Sequence, residues 1–360
     1  MKLRYLFPLS ACWFVAACQR DASETATADT SGAALFETVA ESADQWTGVA
    51  VDGDGQVFVN FPRWSDRIPM SVARLVDGAP VAFPDAAMNE WSDGEDPSKA
   101  FVCVQALLAD AEGKLWVLDP ANPQFGGVVE GGAKLMRFDI ESGTLEKTYP
   151  FGPDMAPANS YLNDLRLDVK HGKAYLTDSG EGALIVLDLE SGVARRLLDD
   201  HPSTHAEGIT LTIAGQPWLM GGEAPQIHSD GIAYDAKTDT VFYQALSGRT
   251  MYKIPGQALR DESLDAEALA AKVEAVGETG ASDGLICDPD GRVIISAIEQ
   301  SAIVRTTPTG ETETLAQDEA ISWPDSFAWG PDGHLYFTTA RIHEGSEPKQ
   351  KYGVHRMMLK

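Results

Sequence analysis

One phrase recurs six times along this chain of 360 residues, and the recurrence narrows the possible folds more than any other feature. It reads TGVAVDGDGQVFVNF from Thr47, QALLADAEGKLWVLD from Gln105 and NDLRLDVKHGKAYLTD from Asn163. It returns as DGIAYDAKTDTVFYQA from Asp230, DGLICDPDGRVIISA from Asp283 and DSFAWGPDGHLYFTT from Asp325. Each copy has a polar lead residue, a short and mainly apolar run, a turn rich in Asp and Gly, and a second run of β-branched or aromatic residues. That is the signature of a β-hairpin. The leads lie between 42 (Asp283 to Asp325) and 67 (Asn163 to Asp230) residues apart, which leaves room for two more strands per unit. A four-stranded unit cannot bury both of its faces alone, whereas a closed ring of such units can. The repeat therefore predicts an all-β chain: one six-bladed β-propeller over residues 35–360, closed by pairing 34–41 with 352–359.

In a propeller the innermost strand of each blade begins at the central channel. The leads Thr47, Gln105, Asn163, Asp230, Asp283 and Asp325 are expected to converge there. Any one of them could instead cap its own strand by bonding nearby backbone N–H groups. Three carboxylates brought together point further, because like charges are costly to pack unless a cation joins them or one is protonated. His228 lies two residues before Asp230, so a neighbouring carboxylate is expected to raise its pKa and make it a proton shuttle; a surface-loop histidine is the plainer alternative. Trp323, Phe327 and Tyr234 are expected to supply apolar surface at the channel mouth.

Other motifs carry less. DGDG (52–55) opens like a calcium loop but lacks glycine at the sixth position and has Arg63 at the twelfth, so it reads as a hairpin turn. His201 and His205 have zinc-like spacing, yet Pro202 and the Ser203-Thr204 pair place them in a loop. Cys103 and Cys287 sit in apolar runs and read as two small buried thiols. No G-x-S-x-G elbow, Walker loop or G-x-G-x-x-G between strand and helix is present. Residues 256–277, rich in helix formers, are expected to form one helix covering a face of the disc. With 54 acidic against 28 basic residues the formal charge is −26. Such a surface repels nucleic acid and anionic lipid and attracts cations, including metal ions and organic amines.

The first eighteen residues, MKLRYLFPLSACWFVAAC, have a charged start at Lys2 and Arg4 and an apolar stretch too short to span a bilayer. They end in Val15-Ala16-Ala17-Cys18, similar to a bacterial lipoprotein cleavage box, with Cys18 as the lipidation site. An ordinary signal cleaved nearby is the alternative. Gln19 in place of Asp favours the outer membrane by the same resemblance. Residues 19–34 are small and polar, as a flexible tether would be. The expected setting is the cell envelope, lipid-anchored and facing periplasm or exterior, or secreted, with a monomeric domain.

Beyond the repeats, IHSDGIAYDAKTDTVFYQALSGRTMYKIP (227–255), ASDGLICDPDGRVIISAIEQSAI (281–303) and WPDSFAWGPDGHLYFTT (323–339) resemble the major royal jelly protein and yellow family in its bacterial branch. YLNDLRLD (161–168) and HPSTHAEGI (201–209) fit the same pattern. The resemblance implies a six-bladed propeller that is secreted or held at the envelope. The activities it implies are diverse: dopachrome conversion, binding of biogenic amines, nutritive or sterol-associated roles. Gluconolactonase-like propellers are more distantly similar. Their divalent metal site implies Asn163, Asp230 and Asp283 as ligands for an ion such as Ca²⁺, but the first blade offers Thr47 where a carboxylate is typical.

Three readings follow. In the first, a small cationic or aromatic ligand binds at the channel mouth, with charge from Asp230, Asp283 and Asp325 and further contacts from Gln105, Asn163, Trp323 and Phe327. In the second, the bound ring is isomerised, with His228, Asp230 or Asp283 moving the proton. The alternative is a metal-dependent lactonase, in which the ion polarises the ester carbonyl and a carboxylate activates water.

Overall fold

The computed structural model describes residues 35–345 and 347–359. Its frame is six four-stranded antiparallel sheets. The innermost strands are Val49–Val51, Ala106–Ala109, Leu162–Asp168, Ser229–Asp235, Ser282–Cys287 and Pro324–Trp329, and each neighbours the next around a ring. This is the six-bladed propeller that the repeats predict. The ring closes as expected: Glu37–Ser42 is the outermost strand of the last blade, with Glu37 opposite Arg356 and Ser42 opposite Tyr352. No helix among the described residues is long and apolar enough to cross a membrane.

The strands do not alternate apolar with polar because both faces of each blade are covered. Phe58, Val117 and Phe138 pack between the first and second blades; Tyr175, Ile232 and Tyr243 pack between the third and fourth. Each core is thus shared by two blades. The Asp-Gly turns are hairpin turns, as read: the Asp52 carboxylate accepts the N–H groups of Asp54 and Gln56, and Gly55 has φ of 81°.

The segment 256–277 departs from the single helix expected of it. It forms two short helices, Gly256–Arg260 and Ala266–Ala270, and then the strand Glu274–Glu278. Asp265 caps the second helix by accepting the Ala268 N–H at 2.9 Å. The fourth blade needs an outer strand, and pairing with Thr250–Pro255 overrides the helix propensity of the last few residues.

A second repeated device links the blades. In each of the third to sixth blades the innermost strand shifts register at the lead residue, a bulge that turns the lead toward the channel. A polar residue on the second strand holds this region together. Asn60 accepts the Gly48 N–H and donates to the Val104 carbonyl of the next blade; Thr177 accepts the Asp164 N–H and donates to the Asp230 carbonyl. Thr338 likewise joins Ser326 to Thr47, while Ser296 accepts the N–H groups of Asp283 and Gly284.

The inner strands approach closely at this level, so the channel is a packed throat. A Cβ on Gly284 would lie inside van der Waals contact with the Asp325 carbonyl oxygen, and one on Gly231 would meet the Asp283 carbonyl. Gly284→Ala should therefore force the fifth and sixth blades apart and destabilise the fold by about 1–3 kcal/mol, read from the urea midpoint. Ser326→Ala, which adds no atom, is the control.

Candidate functional site

Above the throat lies a cavity of about 820 Å³, open on the face where the inner strands begin. Its floor is made by Gln105, Asn163, Asp230 and Asp283. The floor is a tight polar network. Asn163 Nδ2 donates to Asp230 Oδ2 at 2.8 Å and to Ser179 Oγ at 3.0 Å. Trp323 Nε1 donates to Asp283 Oδ2 at 2.6 Å, and Tyr161 Oη donates to Gln105 Oε1 at 3.0 Å. The carboxyl groups of Asp230 and Asp283 share the floor, and burial together with the charge of Asp283 favours a proton on Asp230.

Burial explains that proton. Asp230 and Asp283 are 2% and 5% exposed, and desolvation disfavours their charged forms. Asp283 is pushed up to about 6, chiefly by burial, with the Trp323 and Asp230 hydrogen bonds opposing the rise and the charge of Asp164 adding to it. Asp230 is raised well above the usual carboxylate range by burial and then by the charges of Asp283 and Asp325. The floor holds negative charge only at a cost, which a cation could relieve.

The walls come largely from loops. Trp64, Phe125 and Tyr161 stand on one side, Trp218, Trp323 and Tyr352 on the other. Trp64 Nε1 donates to Tyr161 Oη at 2.6 Å, and the Trp64 and Phe125 rings lie 5.6 Å apart. Trp218, from the long segment before the fourth blade, meets Trp323 edge-on at 4.8 Å.

Of the residues singled out in the sequence, Gln105, Asn163, Asp230, Asp283 and Trp323 meet at this cavity. Four others do not. Asp325 lines a much smaller space beneath the floor, where burial and the charge of Asp283 raise its pKa well above the usual range and its Oδ2 has no partner. Phe327 is buried in the core between the fifth and sixth blades. Tyr234 lies four residues down its strand from Asp230, about 13 Å away, and bonds Asp239 at the far end. His228 sits behind the wall: Nδ1 accepts the Ala206 N–H at 3.0 Å and its ring meets His205 edge-on at 4.8 Å. Burial, then His205, lower its pKa, opposite to the rise expected from a neighbouring carboxylate.

Thr47 is fully buried and accepts a hydrogen bond from Asn60. Cys103 is buried and Cys287 partly so; both are free thiols that burial pushes up to about 12. His201 and His205 flank a short 3-10 turn, Pro202–Thr204. Cys18 and the rest of 1–34 lie outside the described residues.

A divalent cation at the floor would have Asn163, Asp230 and Asp283 as its donors. Asp230 Oδ2 and Asp283 Oδ2 each accept an N–H donor, which leaves each carboxylate its second oxygen, and Asn163 keeps Oδ1. The first blade presents Thr47, already bonded, and no carboxylate. Among the described residues the trio of acidic and imidazole groups close enough to share an ion is Asp168, His171 and Asp239, at the far end of the blades. There Arg260 already bridges the two carboxylates.

The wall residues Trp64, Phe125, Trp218 and Tyr352 escape the repeat because they lie in loops or outer strands. Tyr161 had a signal. It stands two residues before the lead Asn163, as Trp323 stands before Asp325 and Gln45 before Thr47, and all three line the cavity.

The family model described as Major royal jelly protein matches residues 102–329. Among solved structures, a gluconolactonase from Xanthomonas campestris is 12% identical, with 90% of this chain and 89% of that one covered and a TM-score of 0.55. Virginiamycin B lyase from Staphylococcus aureus is 14% identical, with 84% and 80% covered and a TM-score of 0.48. No curated protein matches the chain. At these identities the likeness to the solved structures is one of fold alone.

Proposed function

The chain belongs to the major royal jelly protein family, and from that premise we propose that its channel-mouth cavity binds a small aromatic amine. The observation that carries the reading is the pairing of a desolvated acidic floor with aromatic walls in one cavity. A protonated amine at Asp230 and Asp283 supplies the charge that burial withholds from them, while its ring packs against apolar side chains. Charge-assisted hydrogen bonds of this kind contribute about 1.5–3 kcal/mol.

Isomerisation of a bound ring is the second reading, and one feature favours it: burial raises both Asp230 and Asp283 above the usual carboxylate range, toward the pH at which a carboxyl can take and return a proton. His228 has no part in it, being outside the cavity. Lactone hydrolysis through a metal stays the alternative, with Asn163, Asp230 and Asp283 as ligands and no carboxylate from the first blade. The proposal extends to the setting: attachment to the envelope through Cys18, or export, rests on the pattern of residues 2–18.

The test is a pair of ligands that differ by the ammonium group. Dopamine should bind at least about tenfold more tightly than 4-ethylcatechol at pH 7.5, a difference of roughly 1.4 kcal/mol, measured by quenching of tryptophan fluorescence. Equal affinities would remove the acidic floor from recognition.

A further inference from the structure

The cavity is larger than a single-ring amine needs, and its two halves differ in chemistry. At about 820 Å³ it lies near the top of the range, roughly 300–1,000 Å³, that holds drug-sized ligands. The ring order of the blades places the halves on opposite sides. Blades four to six contribute the carboxyl pair together with Ile227, Leu246 and Ile342. Blades one to three contribute no acid to the floor: they present Gln105 and Asn163, with Trp64 and Phe125 above.

This half offers hydrogen-bonding groups, with Asp66 and Arg67 lining it beside Trp64. Gln105 Oε1 is bonded by Tyr161, which leaves its Nε2 donor without a partner among the described residues. Asn163 spends its amide donor on Ser179 and Asp230, which leaves its Oδ1 acceptor open. One donor and one acceptor on the floor of the same cavity match a hydroxyl group, which does both. The rings above them are accessible: Phe125 is 57% exposed, and Trp64 is held in place by its hydrogen bond to Tyr161.

Building on the amine reading above, we infer that the ligand carries two rings joined through the amine. The ammonium sits on Asp230 and Asp283, and a second, uncharged phenolic ring lies against Trp64 and Phe125 with its hydroxyl on Gln105 and Asn163.

Dopamine and dobutamine test this, because dobutamine is dopamine with a phenol-bearing chain on the nitrogen. By isothermal titration at pH 7.5, dobutamine should bind one-to-one and about tenfold more tightly, as expected for burying a further ring. Trp64→Ala should bring the ratio of the two affinities toward one; Phe125→Ala, at an exposed site that folding tolerates, should do the same. Asp283→Asn should weaken both ligands. Equal affinities, two dopamine molecules per protein, or a ratio untouched by both aromatic variants would overturn the second ring while leaving the amine reading intact. If neither amine binds, both proposals fall.

Discussion

Asp283→Asn should make the protein harder to unfold at pH 7.5 and at the same time weaken its hold on an amine. The carboxyl of Asp283 is raised from its ordinary 3.8 to about 6 by burial. The folded protein therefore binds this proton more tightly than the unfolded chain does. The cost of ionising it grows as pH rises from about 4 to 6 and is complete above that, at about 3 kcal/mol for a shift of this size. Asp230 and Asp325, raised by the same burial, act in the same direction. The native protein should accordingly melt at a higher temperature at pH 5 than at pH 7.5. In Asp283→Asn the cost disappears, the Trp323 indole keeps an oxygen acceptor, and Asp230 loses the neighbouring negative charge that raises its pKa. The expected result is a gain of up to about 3 kcal/mol at pH 7.5, a weaker dependence on pH, and at least about a tenfold loss of dopamine affinity. A variant that loses both stability and binding would mean that Asp283 is a structural anchor.

The opposite effect is expected at Asp119. This fully buried carboxylate accepts the N–H groups of Val102, Cys103 and Ala121 and pairs with Lys134 Nζ at 3.0 Å. It fixes the segment that delivers Gln105 to the channel, as Asp178 does for Asn163 by accepting the Tyr161 N–H and pairing with Arg196. Asp119→Ala strands a lysine that is 1% exposed and leaves three amides without their acceptor. Breaking one side of a buried ion pair costs about 3–5 kcal/mol, and urea unfolding should show a loss of that size. Adding Lys134→Met should recover part of it, because the stranded charge goes. No recovery would assign the loss to the amides.

The ring and its closure were legible because a propeller writes the same hairpin six times, and the lead position marks the channel in every copy. Leads alone could not say how deep each one lies. Asp283 reaches the cavity, whereas Asp325, with the same lead character, is held below the floor. His228 shows a second limit: nearness in sequence to Asp230 suggested a raised pKa, but its ring turns to Ala206 and His205, and burial decides the direction. The aromatic walls were hidden for a different reason. Trp64, Phe125 and Trp218 lie in loops of unequal length, whose course is set by packing across blades and leaves no periodic trace. The linking residues Asn60, Thr177, Ser296 and Thr338 did leave one, as a polar residue recurring near the end of an otherwise apolar second strand.

Proton release on amine binding is the sharpest measurement of what the acidic floor does. Dopamine should be titrated calorimetrically at pH 7.5 in phosphate and in Tris, whose ionisation enthalpies differ. A cation that settles on the Asp230–Asp283 pair displaces the proton that burial favours on Asp230. The heats should therefore differ between buffers in the sense of proton release on binding, and Asp283→Asn should reduce the difference. Binding of dopamine with identical heats in both buffers would contradict the assignment, since the amine would then lie elsewhere than on the carboxyl pair.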